Sequence, residues 1–100
     1  MSKTKNLYLQ IFNKSGEDRD NIVLNTILVG YISSDTIIDI ESCNKSMFEL
    51  YKMKKALEES ELSDSNKEYW NEQILKGLDI CLQDLSIMMV EHEDEKCAES

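Results

Sequence analysis

Few side chains in this chain are of types that do covalent or metal chemistry, and their spacing is poor for it. The one histidine, His92, stands five residues before Cys97. A base and its nucleophile must be held within ~3 Å of each other by rigid surroundings. Both lie in the run Glu91-His92-Glu93-Asp94-Glu95-Lys96-Cys97-Ala98-Glu99-Ser100, which has lost all apolar period, so the expectation is a non-enzymatic protein. The acids of that run supply hard oxygen ligands, but adjacent residues cannot all turn toward one ion, and no EF-hand spacing with its glycine occurs. Gly16, Gly30 and Gly77 stand singly rather than in a phosphate-cradling loop. Neither a metal nor a cofactor is expected. Cys43 and Cys81 fall on apolar stripes and read as small core residues. Three cysteines without short metal or disulfide spacing fit a reducing compartment.

Charge says more about partners than about chemistry. The 100 residues carry a net charge of −9, distributed unevenly: four basic and three acidic residues in 1–33, four and seven in 34–62, three and ten in 63–100. A chain with this field is repelled by nucleic-acid phosphates and by anionic membrane surfaces. A basic protein is the expected partner. Apolar runs such as Ile27-Leu28-Val29 are far below the ~20 residues that cross a bilayer, and the first residues lack the apolar core of a signal peptide. The expected location is the cytoplasm.

The elements that must carry these groups are helices. Proline is absent and glycine scarce, which leaves few built-in turns. Ser65-Asn66-Lys67-Glu68 has the capping-box pattern. Behind it Ile74, Leu78, Cys81, Leu85 and Met88 recur at alternating steps of four and three, with Leu75, Leu82 and Met89 beside them. This predicts a helix over 65–91. Ile37, Ile40, Cys43, Met47, Leu50, Tyr51 and Leu57 continue the same rhythm before the turn at 60–64, with Ser34-Asp35 available as a cap. The result is a mainly α fold built on a long antiparallel hairpin, about 35–60 and 65–91, with equal arms.

A start at 46, from the capping box Ser46-Met47-Phe48-Glu49, is the competing reading of the first arm. Residues 5–32 are expected to pack across the hairpin as one or two helices, with Asp20 as a cap. The alternative is an α+β fold in which 6–13 and 22–32 form a β-hairpin, since Leu7, Leu9 and Ile11 alternate and 22–32 is β-branched. Residues 1–90 make one small domain, and 91–100 a disordered acidic tail.

The function expected from these features is an acidic protein-binding module, of inhibitor or immunity type, that occludes a basic partner surface. Glu68, Glu72, Asp79 and Asp84 would steer and hold partner lysines and arginines, and Trp70 would be the buried anchor. An acidic cytosolic chaperone binding a partner segment in a groove is the alternative. Nucleic-acid mimicry and a helical assembly subunit are weaker forms. Off-seam apolar residues also predict a homodimer, with Gly77 allowing close approach and Ile80 and Ile87 in the seam.

Overall fold

The computed structural model describes residues 3–99, and the side chains of 5–91. Four helices follow one another: α1 (Lys3–Ser15), α2 (Ile22–Ile32), α3 (Ile40–Glu59) and α4 (Asp64–Glu99). Among the described residues there is no strand, so the β-hairpin alternative is excluded and the mainly α reading holds. Segment 22–32 is helical despite its β-branched content because Asn21 caps it. The Asn21 side chain accepts the Leu24 N–H at 3.0 Å, one residue later than the Asp20 cap expected from the sequence.

α3 and α4 form the antiparallel hairpin, but its arms are unequal, 20 residues against 36. The first arm begins five residues later than the sequence suggests. Residues 33–37 are tied back to α2 instead: Thr36 and Ile37 N–H groups donate to the Ser33 carbonyl, and the Thr36 hydroxyl donates to the Gly30 carbonyl at 2.6 Å. The cap of α3 is Asp39, which accepts the Ser42 N–H at 2.8 Å while Ser42 Oγ accepts the Asp39 N–H at 3.0 Å. The rival box at 46–49 is unused, and Ser46 is buried in mid-helix. At the turn, Ser63 rather than Ser65 precedes α4, its carbonyl accepting from Lys67 at 2.9 Å.

α1 packs chiefly against α3, while α2 lies across α4 and α3 and touches α1 little. The shared core holds Phe12, Leu24, Leu50, Met53, Leu57, Trp70, Ile74, Cys43 and Cys81. The N-terminal helices therefore supply the layer that covers Met53 and Trp70, residues lying off the hairpin seam. Phe12 and Trp70 rings meet with centroids 6.3 Å apart. A radius of gyration of 15.8 Å exceeds the ~13 Å of a compact 100-residue domain. The reason is α4, which outruns its partner arm: Cys43 lies beside Cys81, so α3 ends its cover near residue 85. The helical backbone continues to Glu99, beyond the limit of 91 set by the apolar period. The stretch expected as a disordered tail, 91–100, is thus helical backbone as far as Glu99, and the side chains of 92–100 lie outside the described residues.

Candidate protein-binding surfaces

Among the described side chains, the cysteines are built into the core. The Cys43 thiol donates to the Cys81 carbonyl at 3.1 Å, and both cysteines are buried and free. Burial, with Asp84 nearby, raises the Cys43 thiol above its ordinary range. Burial, then Cys43 and Asp84, pushes Cys81 up to about 11. Thiols held in the protonated form are poor nucleophiles. Both act as packing residues.

A second polar cluster joins α1, α2 and α3. The Tyr8 hydroxyl donates to Glu49 Oε2 at 2.7 Å and meets the Tyr31 hydroxyl, while Lys52 pairs with Glu49 at 3.1 Å. Desolvation, followed by these two hydrogen bonds, raises the Tyr8 pKa far above its usual value. Tyr8 stays neutral and acts as a strut. Nothing in the spacing of residues 8, 31 and 49 announces this cluster, because it needs three separate helices to assemble.

The start of α4 is held by the loop after α1. Glu17 Oε1 accepts the Ser63 N–H at 2.8 Å, and Glu17 also bonds the Ser63 hydroxyl and the Asn66 amide. These bonds lower the Glu17 pKa, the Ser63 backbone bond first. A carboxylate here also faces the positive end of the helix dipole. Arg19 donates through Nε to Asn66 Oδ1 at 2.7 Å and through Nη2 to Ser65 Oγ at 2.8 Å, with its guanidinium 4.7 Å from the centre of the Tyr69 ring. Asn13 accepts the Glu61 N–H at 2.8 Å. One visible signal was an arginine standing among the acids of the 14–21 loop.

Against this background the expected partner-binding residues separate. Trp70 is fully buried and its Nε1 donates to the Gly16 carbonyl at 2.6 Å, so it anchors the fold rather than a partner. Glu68 is exposed, but Arg19 lies on one side of it, and Lys54 and Lys67 share a cleft of about 350 Å³ with it on the other. Glu72 and Asp79 are exposed. Asp84 is half-buried beside the cysteines. The apolar residues that do reach solvent nearby are Leu75, 45% exposed, and Leu82, 49% exposed. With Glu72 and Asp79 they fall within an arc of about 80° on α4, given ~100° of rotation per residue.

The residues expected to self-associate also divide. Gly77 is buried, and a Cβ there would lie 3.3 Å from Leu50 Cδ1 and 3.5 Å from Ile32 Cγ2. The close approach it permits is that of α2 and α3 within the chain. Ile80 and Ile87 are exposed, and Ile80 rims a groove of about 230 Å³ between α2 and α4 whose walls include Leu28, Val29 and Ile32. α2 itself is apolar nearly all round, yet Ile22, Val23 and Val29 remain more than half exposed.

These features define a class, a mainly α hairpin buttressed by two shorter helices, with apolar side chains bare along its longest helix. Comparison with family models, with curated proteins and with solved structures finds no match to the chain. Among the described residues no helix is long and apolar enough to cross a membrane.

Proposed function

We propose that the chain is a non-enzymatic, acidic protein-binding module whose partner presents basic groups around an apolar spot. The observation that carries this is the free face of α4, where Leu75 and Leu82 stand half-exposed one heptad apart, with exposed Glu72 and Asp79 beside them. Apolar anchors give an interface its affinity, and flanking charges give it rate and register. Leu75 and Leu82 take the anchoring role first assigned to Trp70. Glu72 and Asp79 carry the steering, because they are exposed beside Leu75 and Leu82, whereas Asp84 is half-buried.

Affinity capture from native lysate with three tagged chains tests this: wild type, Glu72→Lys/Asp79→Lys, and Leu75→Asp/Leu82→Asp. A basic protein retained by the wild type and lost by both variants supports the module. A partner held unchanged by both variants overturns the assignment of this face. The α2–α4 groove favours a second reading, a cytosolic chaperone that takes an apolar segment. Salt separates the two. Capture that survives high ionic strength and ignores the charge reversals belongs to the groove.

A further inference from the structure

We propose that a second copy of this chain docks on the side of α4 that carries Ile80 and Ile87, antiparallel, about a twofold axis midway between Gln83 and Asp84. The observation is the arrangement of four exposed residues, Lys76, Ile80, Ile87 and Glu91. Their spacings of four, seven and four place them within an arc of about 60° on the helix. The set is symmetric about the point between residues 83 and 84 and opposite in charge at its two ends. An antiparallel copy in that register sets Ile80 against the partner's Ile87, and Lys76 against the partner's Glu91. Each pairing occurs twice, as a twofold contact requires.

Three further features agree with a second copy as the occupant. Among the described residues, the ion pairs of the chain leave both Lys76 and Glu91 unused. Ile87, 57% exposed, lies on the part of α4 beyond the cover of α3. The groove of about 230 Å³ at Ile80, walled by Val29 and Ile32 of α2, lies where the partner's Ile87 arrives. An apolar knob meets an apolar hole, and charge complementarity fixes the register. A parallel pairing would bring like charges together at both ends. The contact spans ~24 Å of helix, which places it among small, reversible interfaces. The face is separate from Leu75, Leu82, Glu72 and Asp79, and the inference does not rest on the function proposed above.

Sedimentation velocity of the full chain over a concentration series, at physiological ionic strength to screen the net charge, tests it. The wild type is expected to dimerise reversibly. Lys76→Glu and Glu91→Lys should each weaken the dimer roughly tenfold or more, because each reversal turns two attractive pairs into two repulsive ones. The double variant Lys76→Glu/Glu91→Lys should recover to within about threefold of wild type, since the swapped pairs re-form across the axis. Ile87→Asp should abolish the dimer and leave the helical circular dichroism unchanged. A wild type that stays monomeric at hundreds of micromolar overturns the proposal. So does a dimer indifferent to the single reversals, or a double variant as weak as the singles.

Discussion

The two halves of α4 have much the same residue types and very different surroundings. From Ser65 to Cys81 the helix is bolted down: Trp70, Ile74, Leu78 and Cys81 are in the core, Arg19 and Glu17 clamp its first turn, and the Gly16 carbonyl accepts from the Trp70 indole. From Leu82 to Glu91 no side chain is fully buried, and Leu82, Ile87, Met89 and Val90 are about half exposed. The core side chains Trp70, Ile74, Leu78 and Cys81 of the first half stabilise this chain. In the second half Leu85 and Met88 are only partly covered and Leu82, Ile87, Met89 and Val90 stand about half bare, and large bare apolar patches mark surfaces that other molecules use.

The widest expected separation between the halves is in stability. Trp70→Ala should cost about 3–5 kcal/mol, from lost burial, a cavity and an unpaired Gly16 carbonyl. That is a large share of the ~5–15 kcal/mol that holds a small domain together. In dilute solution, where any dimer is dissociated, Ile87→Ala should change the urea midpoint hardly at all, within about 0.5 kcal/mol. Comparable losses at both positions would break the contrast between the halves.

Two glycines sharpen it next. An alanine Cβ at position 16 would lie 2.5 Å from Leu62 Cδ1 and 2.6 Å from the Phe12 carbonyl oxygen. The backbone oxygen cannot step aside, so Gly16→Ala should destabilise by about 1–3 kcal/mol. At Gly77 the nearest atom is the flexible tip of Leu50, at 3.3 Å. There the ~1 kcal/mol gain in helix propensity offsets the crowding, and Gly77→Ala should be close to neutral in thermal melts.

How much of this was legible beforehand follows from where each feature's cause lies. The stripe from Ile74 to Met88 and the turn at 60–64 are local, written in a 3.6-residue period and polar punctuation, and both arms of the hairpin were readable from them. The start of α3 was misplaced because Ser34-Asp35, Asp39 and Ser46 all offer caps. The choice fell to the bonds that tie Thr36 and Ile37 back to α2. Sequence alone assigns Trp70 to a partner as its buried anchor, because a helical wheel cannot show α1 arriving over it. Ile80 and Ile87 were placed on an exposed face by their offset from the seam alone. Glu17, Arg19 and Tyr8 act across separations of more than forty residues. No window on the sequence reaches that far.

A smaller effect comes from acid. The Glu17 carboxyl is held below its ordinary 4.5 by the Ser63 backbone bond, and Asp39 below its ordinary 3.8 by the Ser42 backbone bond. A group with a depressed folded pKa adds stability above the unfolded value, and that stability disappears as pH falls through the folded pKa. Both contributions should therefore be complete at neutral pH and lost progressively as pH falls below the ordinary values, about 4.5 for Glu17 and 3.8 for Asp39. Glu17→Gln and Asp39→Asn should each flatten the acid limb of the urea midpoint against pH. An unchanged limb in Glu17→Gln would mean that the clamp on the first turn of α4 does not contribute to holding it.

The finest comparison is amide by amide. Hydrogen exchange in dilute solution, where any dimer is dissociated, should find the N–H groups of residues 70–81 protected to nearly the global unfolding free energy, because opening them requires the core to come apart. Those of 87–91 lie on helix beyond the reach of α3, with only half-buried Leu85 and Met88 binding the end of this stretch to the core. A helical segment of that length without tertiary cover is marginal in water. Its amides should exchange through local opening, with protection lower by several powers of ten, and the boundary should fall near residue 85. Protection carried evenly from 70 to 91 would mean that the second half of α4 has cover of its own, and the contrast between the halves would fail.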